Sequence, residues 1–165
     1  MAFRNLLAKL GAGGASVDAV LDSPGTTPGG TLTGTVHLTG GNLEQEVNEI
    51  RVALEATVEV ERGDNSWREN VTFGTAAVAG ASTIAPGVKR SLPFSFEVPW
   101  QCPITSLDGW HLRGMRIGLR TRVDIPGAVD AGDLDPVTVG PLPVQHAVLQ
   151  ALDSLGFSFR GADVE

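Results

Sequence analysis

The sequence predicts an all-β chain, a two-sheet antiparallel β-sandwich closed by a C-terminal helix. Three observations carry that expectation. Apolar residues alternate with polar ones in several separate segments, which is the period of a strand with one face buried. The 165 residues include 21 Gly and 10 Pro, a turn-rich inventory that helix interiors tolerate poorly and a many-stranded chain needs. Hydrophobic residues make up 42%, enough for a core, yet aromatics are only 5%, so that core is built mainly from Val, Leu and Ile.

The elements follow in order. Met1–Ala15 has two basic residues and a short apolar run broken by Lys9, too short for the apolar centre of a signal peptide, and reads as an amphipathic lead-in. Its GAGG (11–14) follows no strand and reads as flexible linkage. In 16–22, Val17, Ala19 and Leu21 share a face. SPGTTPGG (23–30) is a loop. TLTGTVHLTG (31–40) puts Leu32, Val36 and Leu38 inward and a Thr-rich face with His37 outward. The clearest strand is 50–61, with Ile50, Val52, Leu54, Val58 and Val60 inward and Arg51, Glu55, Thr57, Glu59 and Glu61 outward. RGDNS (62–66) turns the chain into a returning strand through Trp67, Glu69, Val71 and Phe73. Small residues fill 74–87.

Leu92, Phe94, Phe96 and Val98 then alternate, with Pro93 demanding a sheet edge or a strand start because it lacks a backbone donor. Residues 99–114 read as irregular. In 115–125, Met115, Ile117, Leu119, Val123 and Ile125 face inward, and Arg116, Arg120, Arg122 and Asp124 outward. Val137 and Val139 suggest a short strand. From Val144 to Leu155 the spacing becomes helical, and Gly156 is a natural stop. FSF (157–159) reads as the start of another strand. The expected organisation is a sandwich over 1–142 followed by a helix and strand start over 143–165.

Composition also bounds function. A net charge of −7 disfavours nucleic-acid backbones and anionic membranes. No segment approaches the roughly 18 apolar residues of a membrane span. The lone Cys102 cannot form an internal disulfide and fits a reducing compartment. His37, His111 and His146 lack metal-ligand spacing, and no GxSxG elbow is present. No catalytic constellation or cofactor motif emerges, so the expectation is a non-enzyme; only Cys102 meeting His111 in a cleft would revive an enzyme.

Two groups remain as sites. Asp130, Asp133 and Asp135 in VDAGDLD form an acidic loop that could offer oxygen ligands to Ca²⁺, although the spacing is not that of an EF-hand; solvated turn residues are the plainer reading. Arg116, Arg120 and Arg122 form a basic stripe opposed by Glu55, Glu59 and Glu61, to be read as cross-strand pairing or as a partner-binding surface.

Taken together, three segments carry a resemblance: GAGGASVDAVLDSPGTTPGGTLTGTVHLTGGNLEQEVNEIRVALE near the start, LPFSFEVPWQCPIT in the middle, and VDIPGAVDAGDLDPVTVGPLP before HAVLQALDSLGFSFRGADVE. In order and spacing they resemble the SpoOM sporulation-control proteins, over roughly 1–160. The resemblance implies an arrestin-like sandwich and a cytoplasmic regulatory or scaffold protein that works through protein–protein contacts, with no catalytic residues to carry over. Its partners would be proteins, with sheet edges offering a route to homo-oligomers. Members of that family continue past the position of Glu165 into a second β segment. The alternative, from the residues alone, is a β-sandwich that binds Ca²⁺ or a small ligand through the acidic loop.

Overall fold

The computed structural model describes residues 14–62, 65–126 and 131–161. The N-terminal lead-in up to residue 13, the centre of the RGDNS turn, Asp130 and the last four residues lie outside the described residues.

Two antiparallel sheets enclose one core. The first has β1 (Ser16–Leu21), β3 (Thr31–Thr39) and β8 (Lys89–Glu97) in the order β1-β3-β8. The second has β5 (Glu49–Arg62), β6 (Asn65–Ala79), β11 (Ile117–Asp124) and β12 (Ala131–Pro136) in the order β12-β11-β5-β6. Edge strand β1 lies against edge strand β12, and β8 against β6, so both sides of the sandwich are closed by strand-to-strand seams. Short pairs complete it: β2 (Gly25–Thr26) runs parallel to β13 (Thr138–Val139), β4 (Gln45–Val47) pairs with β7 (Ser82–Ile84), and β9 (Ser106–Leu107) with β10 (Trp110–His111).

The period-two reading holds because alternate residues fill the space between the sheets. Leu32, Val36 and Leu38 from one sheet meet Ile50, Val52, Leu54, Leu119 and Val123 from the other, each at most 1% exposed. Each such side chain contributes about 1.5–3 kcal/mol on burial. Pro93 sits opposite Thr35 on β8, an edge strand among the described residues, as a missing backbone N–H requires. The PGG turn is fixed by contact: Gly29 has φ 71° and lies beneath the Trp100 ring, where a Cβ would come within 2.6 Å of it.

Several expectations need correction. The small-residue segment continues β6 to Ala79, since Ala and Thr suffice to pair with β5 where the sheet is already packed. The region read as irregular holds the β9–β10 hairpin, turned by Asp108 (φ 51°) and Gly109 (φ 81°); Asp-Gly is a favoured pair for such turns. Asp133 and Asp135 belong to a strand rather than a loop. Phe157 and Phe159 form no strand: the chain leaves helix α1 (Pro143–Ser154) without meeting a sheet edge, and both rings are exposed.

Helix α1 itself appears where its spacing predicts. Pro143 opens it, the Gln145 side chain accepts the Leu142 N–H at 2.8 Å, and Gly156 (φ 87°) ends it. It buries none of its residues. Its tie to the sandwich is polar: His146 Nε2 lies 2.7 Å from Asp108 Oδ1. Asp108→Ala is expected to weaken global stability by no more than about 1 kcal/mol, because the pair is exposed. It should loosen α1 selectively. Faster amide exchange confined to 143–155 checks this; unchanged exchange there would assign the docking to other contacts.

Candidate functional site

On the side of the four-stranded sheet that faces away from the core, β5 and β11 pair antiparallel with Leu54 opposite Leu119 and Glu55 opposite Gly118. A register shift at Leu54/Glu55 on the β6 side marks a bulge. Glu55 points outward, as the alternation predicts, yet it is only 6% exposed. Two arginines cover it: Arg120 Nε donates to Oε2 at 3.1 Å and Arg122 donates through an Nη to Oε1 at 3.0 Å. Gly118, opposite Glu55, lets Leu134 of β12 lie close over β11, since a Cβ there would come within 2.6 Å of the Leu134 side chain.

The arginine stripe is therefore split by function. Arg120 and Arg122 are cross-strand partners of a covered carboxylate, and Arg122 also faces Arg51, whose guanidinium is held 2.5 Å from Glu49. Arg116 is exposed and makes no ion pair among the described residues. It lines a pocket of about 510 Å³ together with His111, Glu55, Leu134, Pro136 and Asn70. The Thr57 hydroxyl, donating to Asn70 Oδ1 at 3.1 Å, braces the β6 side of the pocket. Arg120 and Arg122 neutralise Glu55, so among the described residues Arg116 brings an unpaired guanidinium to the pocket on an acidic protein. Such a pocket can receive a carboxylate beside an apolar side chain, with a guanidinium to grip it. His111 was not legible as a pocket residue; the Asp-Gly turn that delivers it was the available signal.

The remaining sequence candidates fall elsewhere. His37 is on the outer face of β3, with Nδ1 3.1 Å from Ser91 Oγ. His146 belongs to the α1 tie. Cys102 is buried, its thiol pushed up to about 11 by desolvation and contacting the Pro103 carbonyl rather than His111. Asp133 and Asp135 lie on the core-facing side of β12, and Asp130 is outside the described residues. Among the described residues no three His, Cys, Asp or Glu side chains are arranged to hold a metal ion. No described helix is long and apolar enough to cross a membrane.

An antiparallel sandwich with a charged external pocket and a covered Glu–Arg cluster defines a two-sheet, β-rich class of protein. The SpoOM protein family pattern matches residues 3–165, and the chain belongs to that family. It is 33% identical over 163 residues to the sporulation-control protein Spo0M of Bacillus subtilis, covering 99% of this chain and 61% of that protein. The crystal structure of Spo0M from Bacillus subtilis superposes with a TM-score of 0.83 at 32% identity, covering 92% of this chain and 59% of that one. The chain thus spans about three fifths of the length of the relatives it matches.

Proposed function

We propose that this chain is a non-enzymatic regulatory domain that acts through protein–protein contacts in the cytoplasm, docking an acidic segment of a partner on the outer face of the β12-β11-β5-β6 sheet. Membership of a family that includes a sporulation-control protein supports the regulatory part. The observation that carries the docking part is the division of labour among the arginines: Arg120 and Arg122 are spent on Glu55, whereas Arg116 is exposed and lines a pocket that also includes Leu134 and Pro136. Guanidinium groups match carboxylates bidentately, and an apolar wall beside one selects a neighbouring aliphatic side chain.

The test uses fluorescence anisotropy with two labelled peptides, one alternating Glu and Leu and the other alternating Lys and Leu. The acidic peptide is expected to bind the protein, and Arg116→Glu to weaken it by about tenfold or more, since it replaces an attractive charge by a repulsive one. Equal binding of both peptides, or an acidic peptide indifferent to Arg116→Glu, removes this reading.

A further inference from the structure

The second cluster of charge lies on the opposite side of the same sheet. Asp133 and Asp135 alternate with Leu134 on β12, so both carboxyls point toward β1 while Leu134 points outward to the pocket. Asp133 is 9% exposed and stands opposite Thr121 of β11 in the ladder. β1 packs against β12 across the seam, where burial and then the nearby Asp133 raise the Asp18 carboxyl above its ordinary value. Carboxyl groups crowded together repel one another unless the group as a whole carries a proton.

A second feature points to the same place. Thr121 is 0% exposed, and its Oγ1 has no hydrogen-bond partner among the described residues; nor does the buried Oδ2 of Asp135. A buried hydroxyl in the ladder position facing Asp133, and a buried carboxyl oxygen two residues along, form a polar niche at the seam. Neighbouring carboxyls relieve their mutual repulsion by taking up a proton.

We propose that the β1–β12 seam is a proton-controlled latch: beside Asp133, protonated Asp18 and Asp135 let the two edge strands hold together, and their ionisation pushes the strands apart. On ionisation the protons pass to solvent. The groups facing the cluster are few. β1 supplies Asp18; β3 supplies His37, opposite Asp18 in register, whose positive form favours the Asp18 carboxylate. β11 supplies Thr121 between Leu119 and Val123, its arginines lying on the other face. Burial raises the Asp135 carboxyl to about 7, with further contributions from Asp133 and Asp18, and burial together with Asp133 raises Asp18 as well. The latch therefore opens as pH rises through neutrality. Movement of β12 would also shift Leu134 and Pro136 in the pocket wall; that consequence rests on the docking reading above, whereas the latch does not.

Amide hydrogen exchange on the full chain, corrected for intrinsic rates, tests it without any ligand. Between about pH 6 and about pH 8.5, amides of β12 are expected to lose about tenfold in protection relative to those of β5, the free-energy equivalent of one unit of proton affinity. Asp135→Asn and Asp18→Asn should each keep β12 protected at the higher pH; Asp18 is exposed on its strand, so its variant serves if the other does not fold. Wild-type β12 tracking β5 at both pH values overturns the latch, as do variants that lose protection like the wild type. Restoration of protection at the higher pH by millimolar CaCl₂ would also overturn it, assigning the cluster to a cation instead.

Discussion

Replacing Asp135 with asparagine is expected to stabilise the fold above neutral pH and to leave it almost unchanged near pH 4. Burial and the neighbouring Asp133 and Asp18 raise the folded-state carboxyl from 3.8 to about 7. The folded chain thus binds more protons than the unfolded chain across that interval, so stability falls as pH rises from about 4 to about 7 and is level beyond it. At 1.36 kcal/mol per unit the full shift amounts to about 4 kcal/mol. Partial solvation of the carboxyl screens the repulsion, and the expected gain from the asparagine is about 1–2 kcal/mol at pH 8. Denaturant unfolding of both proteins at a series of pH values checks this. A gain that is constant with pH would mean that asparagine improves packing or hydrogen bonding rather than removing a charge.

Glu55 lies on the opposite face of the same sheet, and its removal should act in the other direction. Its carboxylate is covered and receives two guanidinium bonds, at 3.1 and 3.0 Å. Glu55→Ala deletes the shared acceptor and leaves Arg120 and Arg122 side by side without it. Removing one partner from a fully buried ion pair costs about 3–5 kcal/mol. Here the arginine side chains remain 26% and 49% exposed and can regain water, so about 1–3 kcal/mol is expected. Adding Arg122→Ala to that variant should cost less than the sum of the two single changes, because both remove the same bond. A double-mutant cycle by urea unfolding reads that coupling. Strict additivity would show that the cluster is held by packing alone.

These two carboxylates show where sequence reading stops. Both fall on strands, and alternation assigns Glu55 to the outward face, as found. Exposure is another matter. A charged residue facing outward is ordinarily solvated, but Glu55 is roofed by side chains 65 and 67 residues away in the chain. Their approach depends on the β5–β11 register. Asp133 and Asp135 misled in the opposite sense. Their Gly, Pro and Asp surroundings have the composition of a solvated loop, whereas pairing with β11 makes them a strand and turns both carboxyls toward β1. His111 and Asp108 offered a signal that local reading could have used, since Asp-Gly between apolar residues marks a tight hairpin.

The sequence by itself determined the all-β sandwich, the inward and outward faces of its long strands, the helix from Pro143 and its stop at Gly156. Each of these follows from local chemistry: the two-residue pleat, the 3.6-residue turn and the special backbone of Gly and Pro. Only the tertiary structure decided which charges neutralise one another. It made Arg120 and Arg122 partners of Glu55, left Arg116 at a pocket, and brought Asp18 across a seam to Asp133. The reason is physical. Burial and charge coupling act over a few ångströms in space, and the neighbours that matter lie on strands whose pairing is fixed only when the whole core closes.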